Sequence, residues 1–133
     1  FFGNGFTGFF MKNLPSAANV LIIDDSPAIT RTARKFLEGT EFVVFSASTS
    51  IEGLSLIPDV SPNTILIDAS MPDLDGYQFS DLLTNFRPDS GIKLVLLELK
   101  SHHLDIDKFN RGNFSDKLLK PFTREELLSI LLA

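Results

Sequence analysis

The sequence predicts an α/β fold, a five-stranded parallel sheet with helices on both faces. Two observations carry that expectation. Short uninterrupted apolar runs alternate five times with amphipathic helical stretches. Charged residues then follow the ends of four of those runs: Asp24-Asp25, Asp68, Glu98 and Lys120-Pro121. A parallel sheet gathers such ends in one crevice, at the carboxyl side of its strands.

Taken in order, Val20-Leu21-Ile22-Ile23 is the first strand, apolar throughout as a strand covered on both faces must be. Ser26-Pro27 reads as a helix start, with Ser26 capping and Pro27 in the first turn. Ile29, Ala33, Phe36 and Leu37 form one stripe of that helix, and Gly39 closes it. Phe42 to Phe45 is the second strand. The next helix turns Ile51, Leu54 and Ile57 inward and ends at Pro58. Ile65-Leu66-Ile67 is the third strand. Asp75 and Gln78 have capping-box spacing, Phe79, Leu82, Leu83 and Phe86 make an apolar stripe, and Pro88 ends that helix. Leu94 to Leu97 is the fourth strand. Residues 101–116 are polar and predict a short, weak helix. Leu118-Leu119 is a brief fifth strand. Thr123 and Glu126 form a second capping box before the face of Leu127, Leu128, Ile130 and Leu131.

Bulk properties narrow the function. The chain has 133 residues, enough for one domain with a core, and a net charge of -5, which disfavours contact with a nucleic acid backbone. It has no cysteine, so neither a disulfide nor a thiolate metal site is available, as suits a cytoplasmic protein. No apolar run approaches the roughly 20 residues that span a bilayer, so no membrane partner is expected. Residues 1–16 read as a Phe-rich N-terminal extension. Phe1, Phe2, Phe6, Phe9 and Phe10 alternate with Gly, Asn and Thr, unlike a signal peptide. Met11 reads as a natural start and the ten residues before it as appended. Residues 17–133 read as the domain.

Asp24, Asp25 and Asp68 meet if the first and third strands are neighbours. Oxygen ligands without His or Cys suit Mg²⁺ or Mn²⁺ rather than zinc. Clustered carboxylates need a cation to offset their repulsion. Lys120 brings another positive charge, and metal and ammonium together can stabilise a phosphoryl group while a carboxylate attacks phosphorus.

The string ILIDASMPDLDGYQF (65–79), with the flanking VLIIDDS and LLKPF, resembles the receiver domain of two-component response regulators. The resemblance covers about residues 17–133. It implies the doubly wound, flavodoxin-like strand order 2-1-3-4-5. It implies that Asp68 accepts a phosphoryl group from a histidine kinase or phosphotransfer protein. It further implies that Asp24, Asp25, Asp68 and the backbone carbonyl of Ser70 bind Mg²⁺, and that Lys120 contacts the phosphoryl group. A downstream protein or output domain is the implied listener. Such a domain is not an enzyme in the ordinary sense, although it can phosphorylate itself from small donors.

Three positions depart from the family pattern. Glu98 stands where the family places a Ser or Thr whose hydroxyl follows the phosphoryl group. An ionised carboxylate cannot donate that hydrogen bond. Leu99 replaces a small residue and is expected to crowd the pocket. Lys117 replaces an aromatic that moves inward on activation. Two readings follow. In one, Asp68 still takes phosphate and the signal leaves by another route. In the other, the fold is a degenerate receiver that docks partners without phosphorylation, with a Glu98–Lys120 ion pair filling the pocket. Glu98 pointing into solvent from a loop is a third arrangement. An aspartyl-phosphate phosphohydrolase fits less well, because Ser70 stands where those enzymes carry a second Asp. His102 and His103, adjacent on a polar loop, read as solvated.

Overall fold

The computed structural model describes residues 19–133, so the readings made of the Phe-rich extension and of Met11 lie outside the described residues. Five strands and five helices alternate. They are β1 (Asn19–Ile23), α1 (Pro27–Phe36), β2 (Val43–Ala47), α2 (Ser50–Val60), β3 (Thr64–Asp68), α3 (Gly76–Phe86), β4 (Lys93–Leu99), α4 (Ile106–Arg111), β5 (Asp116–Lys120) and α5 (Arg124–Leu132). The sheet order is β2-β1-β3-β4-β5 and every neighbouring pair is parallel, as expected.

The two-residue period of the strands divides the core. Val20 and Ile22 of β1 pack with Leu66, Val95, Ala33 and Leu127 under α1 and α5. Leu21 and Ile23, one position out of step, pack with Ile65, Leu96, Ile57 and Phe79 under α2 and α3. Phe79 has no exposed surface. Each such buried side chain contributes roughly 1.5–3 kcal/mol. That double coverage is why the strands read as unbroken apolar runs.

Local details differ from the sequence expectation at four places. Ser26 makes no side-chain cap; its N–H donates instead to Asp24 Oδ1 at 2.9 Å. The helix α2 runs through Pro58 to Val60 and ends at left-handed Ser61, φ 48°. Proline near a helix end removes only one hydrogen bond, which α2 tolerates. Its inward stripe is Ser50, Gly53, Ile57 and Val60, so Ile51 faces solvent at 57% exposure. Gly53 sets that rotation. A Cβ there would lie 2.3 Å from Ile23 Cδ1, so any larger residue would make the buried Ile23 side chain shift or push α2 away from β1. Phe86 is 79% exposed, because the inward stripe of α3 stops at Leu83.

Both predicted capping boxes are present, Asp75 with Gln78 and Thr123 with Glu126. The weak segment 101–116 forms α4, six residues long with none buried. At the outer edge of the sheet, Arg34 of α1 reaches over β2. Its guanidinium donates to the Val44 carbonyl at 2.7 Å and to Ser46 Oγ at 3.1 Å.

Candidate functional site

The carboxyl ends of β1, β3 and β5 converge on one polar centre. Asp24 follows the last residue of β1, and its N–H donates to the Ala47 carbonyl at 3.1 Å, prolonging the ladder to β2 by one step. Asp68 is the last residue of β3, and Lys120 the last of β5. All three are buried, while Asp25 is exposed at the rim. Carboxylate oxygens of Asp24, Asp25 and Asp68 lie within 4.8 Å of one another. Lys120 Nζ donates to Asp24 Oδ2 at 2.9 Å and stands 3.4 Å from Asp68 Oδ1. The Lys120–Pro121 peptide bond is cis.

The site carries more negative than positive charge, and the proton equilibria register it. Burial pushes the Asp24 carboxyl above its ordinary value, the Lys120 and Ser26 hydrogen bonds pull it back in part, and the charge of Asp68 adds to the rise. Burial acts to lower the Lys120 ammonium, but its contacts with Asp24 and Asp68 outweigh that and hold it above its ordinary value. Both groups therefore bind protons more tightly than in water. A divalent cation on the oxygen donors would relieve the same imbalance, and an oxygen-only donor set fits Mg²⁺ or Mn²⁺.

The loop after Asp68 closes tightly around this centre. Ala69 N–H donates to the Leu97 carbonyl at 2.9 Å, Ser70 N–H to Asp68 Oδ1 at 3.2 Å, and Gly76 N–H to the Ala69 carbonyl at 3.1 Å. A Cβ at Gly76 would fall 2.6 Å from Leu96 Cδ1 and 3.2 Å from the Asp68 carbonyl oxygen. Glycine there lets α3 begin against the end of β3.

The end of β4 is built differently. Glu98 lies within the strand, opposite Leu119, and is buried, so it does not point into solvent from a loop. Nor does it pair with Lys120, whose partners are Asp24 and Asp68. Glu98 Oε1 accepts the Leu99 N–H at 3.1 Å and lies 3.4 Å from His102 Nδ1. His102 and His103 are exposed, as read, but the imidazole of His102 also comes close to Glu98, a contact that sequence reasoning did not foresee. The i, i+4 spacing gave no signal of it, because the chain there is a strand end and turn rather than a helix. Leu99 is partly exposed, at 41%.

Lys117 does not enter the site either. Its Nζ sits 5.5 Å from the centroid of the Phe109 ring. Phe109 stacks on Phe114 at 5.4 Å, and Tyr77 meets Phe114 edge-on at 5.9 Å. Lys108 covers the outer face of Tyr77 at 5.6 Å. Burial first, then the charges of Glu98 and Asp105, push the Tyr77 hydroxyl above its ordinary value. Aromatic side chains from the start of α3, from α4 and from the approach to β5 thus form one cluster beside Glu98.

With this geometry described, known proteins can be set beside the chain. A family model described as the response regulator receiver domain matches residues 20–132. Protein PilG of Pseudomonas aeruginosa is 34% identical over 123 residues, covering 92% of this chain and 91% of that protein. Protein PilH of the same organism is 31% identical over 116 residues, covering 87% and 96%. The KDP operon transcriptional regulatory protein KdpE of Escherichia coli is 35% identical over 109 residues, and there the chain spans 47% of the longer protein. Among solved structures, the chemotaxis response regulator CheY4 of Vibrio cholerae shares the fold with a TM-score of 0.77 at 23% identity, over 86% of this chain and 96% of that one.

Proposed function

This chain belongs to the response regulator receiver family, and on that premise we propose that Asp68 accepts a phosphoryl group from a phosphohistidine of a histidine kinase or phosphotransfer protein. Membership makes it a receiver domain of two-component signalling. Receivers in general are phosphoacceptors in signalling rather than enzymes. The single observation that supports Asp68 in this role is its position. It is a buried carboxylate at the end of β3, in one cluster with Asp24 and Asp25, 3.4 Å from the Lys120 ammonium.

The reaction makes a bond from an Asp68 carboxylate oxygen to phosphorus. The phosphorus–nitrogen bond of the donor breaks, and its electron pair stays on the imidazole nitrogen. Asp68 is held for that attack by the Ser70 N–H on Oδ1. Lys120 meets the charge that arrives with the phosphoryl oxygens. Asp24, Asp25, Asp68 and the Ser70 carbonyl are the residues that would hold Mg²⁺ or Mn²⁺, which when bound neutralises the phosphoryl oxygens. Residues 17–133 are taken as the domain that does this, in the cytoplasm. No helix among the described residues is long and apolar enough to cross a membrane.

A second reading, a receiver that docks partners without phosphorylation, is favoured by the β4 end. Glu98, buried and tied to His102, and Lys117, parked over Phe109, leave the usual moving pair without a hydroxyl or an aromatic. Intact mass after incubation with acetyl phosphate and Mg²⁺ separates the two. One added phosphate, absent in Asp68→Asn, is the expected result. No addition to folded protein, with a panel of histidine kinases also failing, would leave the docking reading.

A further inference from the structure

The loop between Asp68 and α3 is tied to a neighbouring helix by a carboxylate that plays no part in the chemistry above. Asp73 Oδ1 accepts the Ser50 N–H at 3.1 Å, and Asp73 Oδ2 accepts the Ile51 N–H at 2.9 Å. Ser50 is fully buried, and its hydroxyl donates to the Leu74 carbonyl at 2.6 Å. Three hydrogen bonds therefore join residues 73 and 74 to the first turn of α2.

These bonds do more than cap a helix. The first N–H groups of any α-helix lack partners within it. In α2, Thr49 Oγ1 already accepts the Glu52 N–H at 3.1 Å, and the Glu52 carboxylate reaches back to the Ser48 N–H at 2.9 Å. The remaining first-turn donors, Ser50 and Ile51, go to a residue more than twenty positions away. Asp73 is a suitable anion for that place, because the helix dipole favours negative charge there. Its other consequence falls on its own loop. The segment is pinned at one end by Ala69 on Leu97 and Gly76 on Ala69, and in its middle by buried Met71. Ser70 lies between these anchors, exposed, with its N–H on Asp68. Without Asp73, the stretch from Met71 to Leu74 keeps the packing of Met71 and a single hydrogen bond to α2, from the Ser50 hydroxyl.

We propose that Asp73 is a positioning residue for the cation site, holding the backbone of Ser70 in place by clamping its loop to the first turn of α2. The inference rests on the metal reading given above for Asp24, Asp25, Asp68 and Ser70. It makes α2 a support of the site although none of its residues faces the carboxylate cluster.

The test uses Mg²⁺ alone on the full chain, followed by amide NMR shifts, with Asp73→Ala, Asp73→Asn and Thr49→Ala. Thr49→Ala removes a cap from the same helix without touching the loop. Both alanine variants should lose a similar amount of thermal stability. Only Asp73→Ala should weaken Mg²⁺ binding, by about tenfold at most, the low end of the loss when a direct partner of a metal ligand is removed, because Asp73 acts through the loop backbone. Asp73→Asn keeps one acceptor oxygen and should recover part of that loss. Hydrogen exchange at Ser70 without metal should rise in Asp73→Ala and stay unchanged in Thr49→Ala. Equal Mg²⁺ affinity in Asp73→Ala and wild type, or equal weakening in Thr49→Ala, overturns the proposal. Wild-type protein that ignores Mg²⁺ overturns the metal reading itself, and the positioning role with it.

Discussion

The two halves of the carboxyl rim behave differently. On one side, Asp24, Asp25, Asp68 and Lys120 stand together as one charged cluster. On the other, β4 carries buried Glu98 and β5 the exposed Lys117. Both side chains are engaged away from that cluster, Glu98 with the Leu99 N–H and close to His102, Lys117 over Phe109. Under the proposal that Asp68 takes a phosphoryl group, the contrast separates binding that group from reporting it on this sheet. The first needs fixed charges at strand ends. The second needs a side chain free to change partners, and here the two positions concerned already have partners.

Substitutions can break that division. The largest effect is expected from Asp68→Asn, which should remove phosphate uptake completely by intact mass. Uptake at an unchanged level would move the acceptor to another residue. Lys120→Ala should come next. It strips the cation from buried Asp24 and should cost roughly 3 kcal/mol in urea unfolding, within the range for breaking a buried ion pair from one side. A loss well under about 1 kcal/mol would show that water replaces the ammonium at little cost.

On the other half of the rim, His102→Ala should leave stability nearly intact but loosen the turn after β4, raising amide exchange over residues 100–105. A contact with a half-exposed imidazole is worth at most about 1 kcal/mol. If exchange there does not change, the Glu98–His102 contact does not hold the turn. Glu98→Thr with Leu99→Ala sharpens the comparison further. It should restore a donor at the strand end, and phosphate uptake should rise if Glu98 restrains the site. Unchanged uptake would confine these residues to signalling.

The smallest effect concerns pH. Burial acts to raise the Asp73 carboxyl, but the Ile51 and Ser50 N–H groups together hold it below its ordinary value of 3.8. A carboxyl lowered on folding stabilises the fold above its unfolded pKa and loses that contribution as pH falls through its folded one. The difference in melting temperature between wild type and Asp73→Ala should therefore be full at neutral pH and shrink below about pH 4.

Much of this was legible from the residues. Unbroken apolar runs such as Val20 to Ile23 betrayed a sheet covered on both faces. The placement of Asp24, Asp68 and Lys120 just after such runs put them on one rim, because parallel strands all end on the same side. What escaped was set by contacts between distant segments. Nothing local told that Gly53 would face Ile23 and turn Ile51 outward. Tyr77, Phe109 and Phe114 come from three separate stretches, so their cluster has no signature in any one of them. The approach of exposed His102 to Glu98 had no signal, because Glu98 lies in a strand, where spacing of four carries no expectation of contact. Asp73, likewise, reads as one more polar loop residue until α2 is placed beside it.

One feature at the far edge of the sheet bears on how the protein behaves in a crowded cell. A terminal strand exposes unpaired backbone groups to which another chain can add as a further strand. The guanidinium of Arg34, laid on the Val44 carbonyl and Ser46 hydroxyl, fills part of that open side of β2 with a fixed positive charge. Exchanging Arg34 for a short apolar residue would uncover those acceptors and remove the repulsion between two such edges. The molecule would then gain a sticky margin on which copies could line up into aggregates, far from anything its carboxylates do.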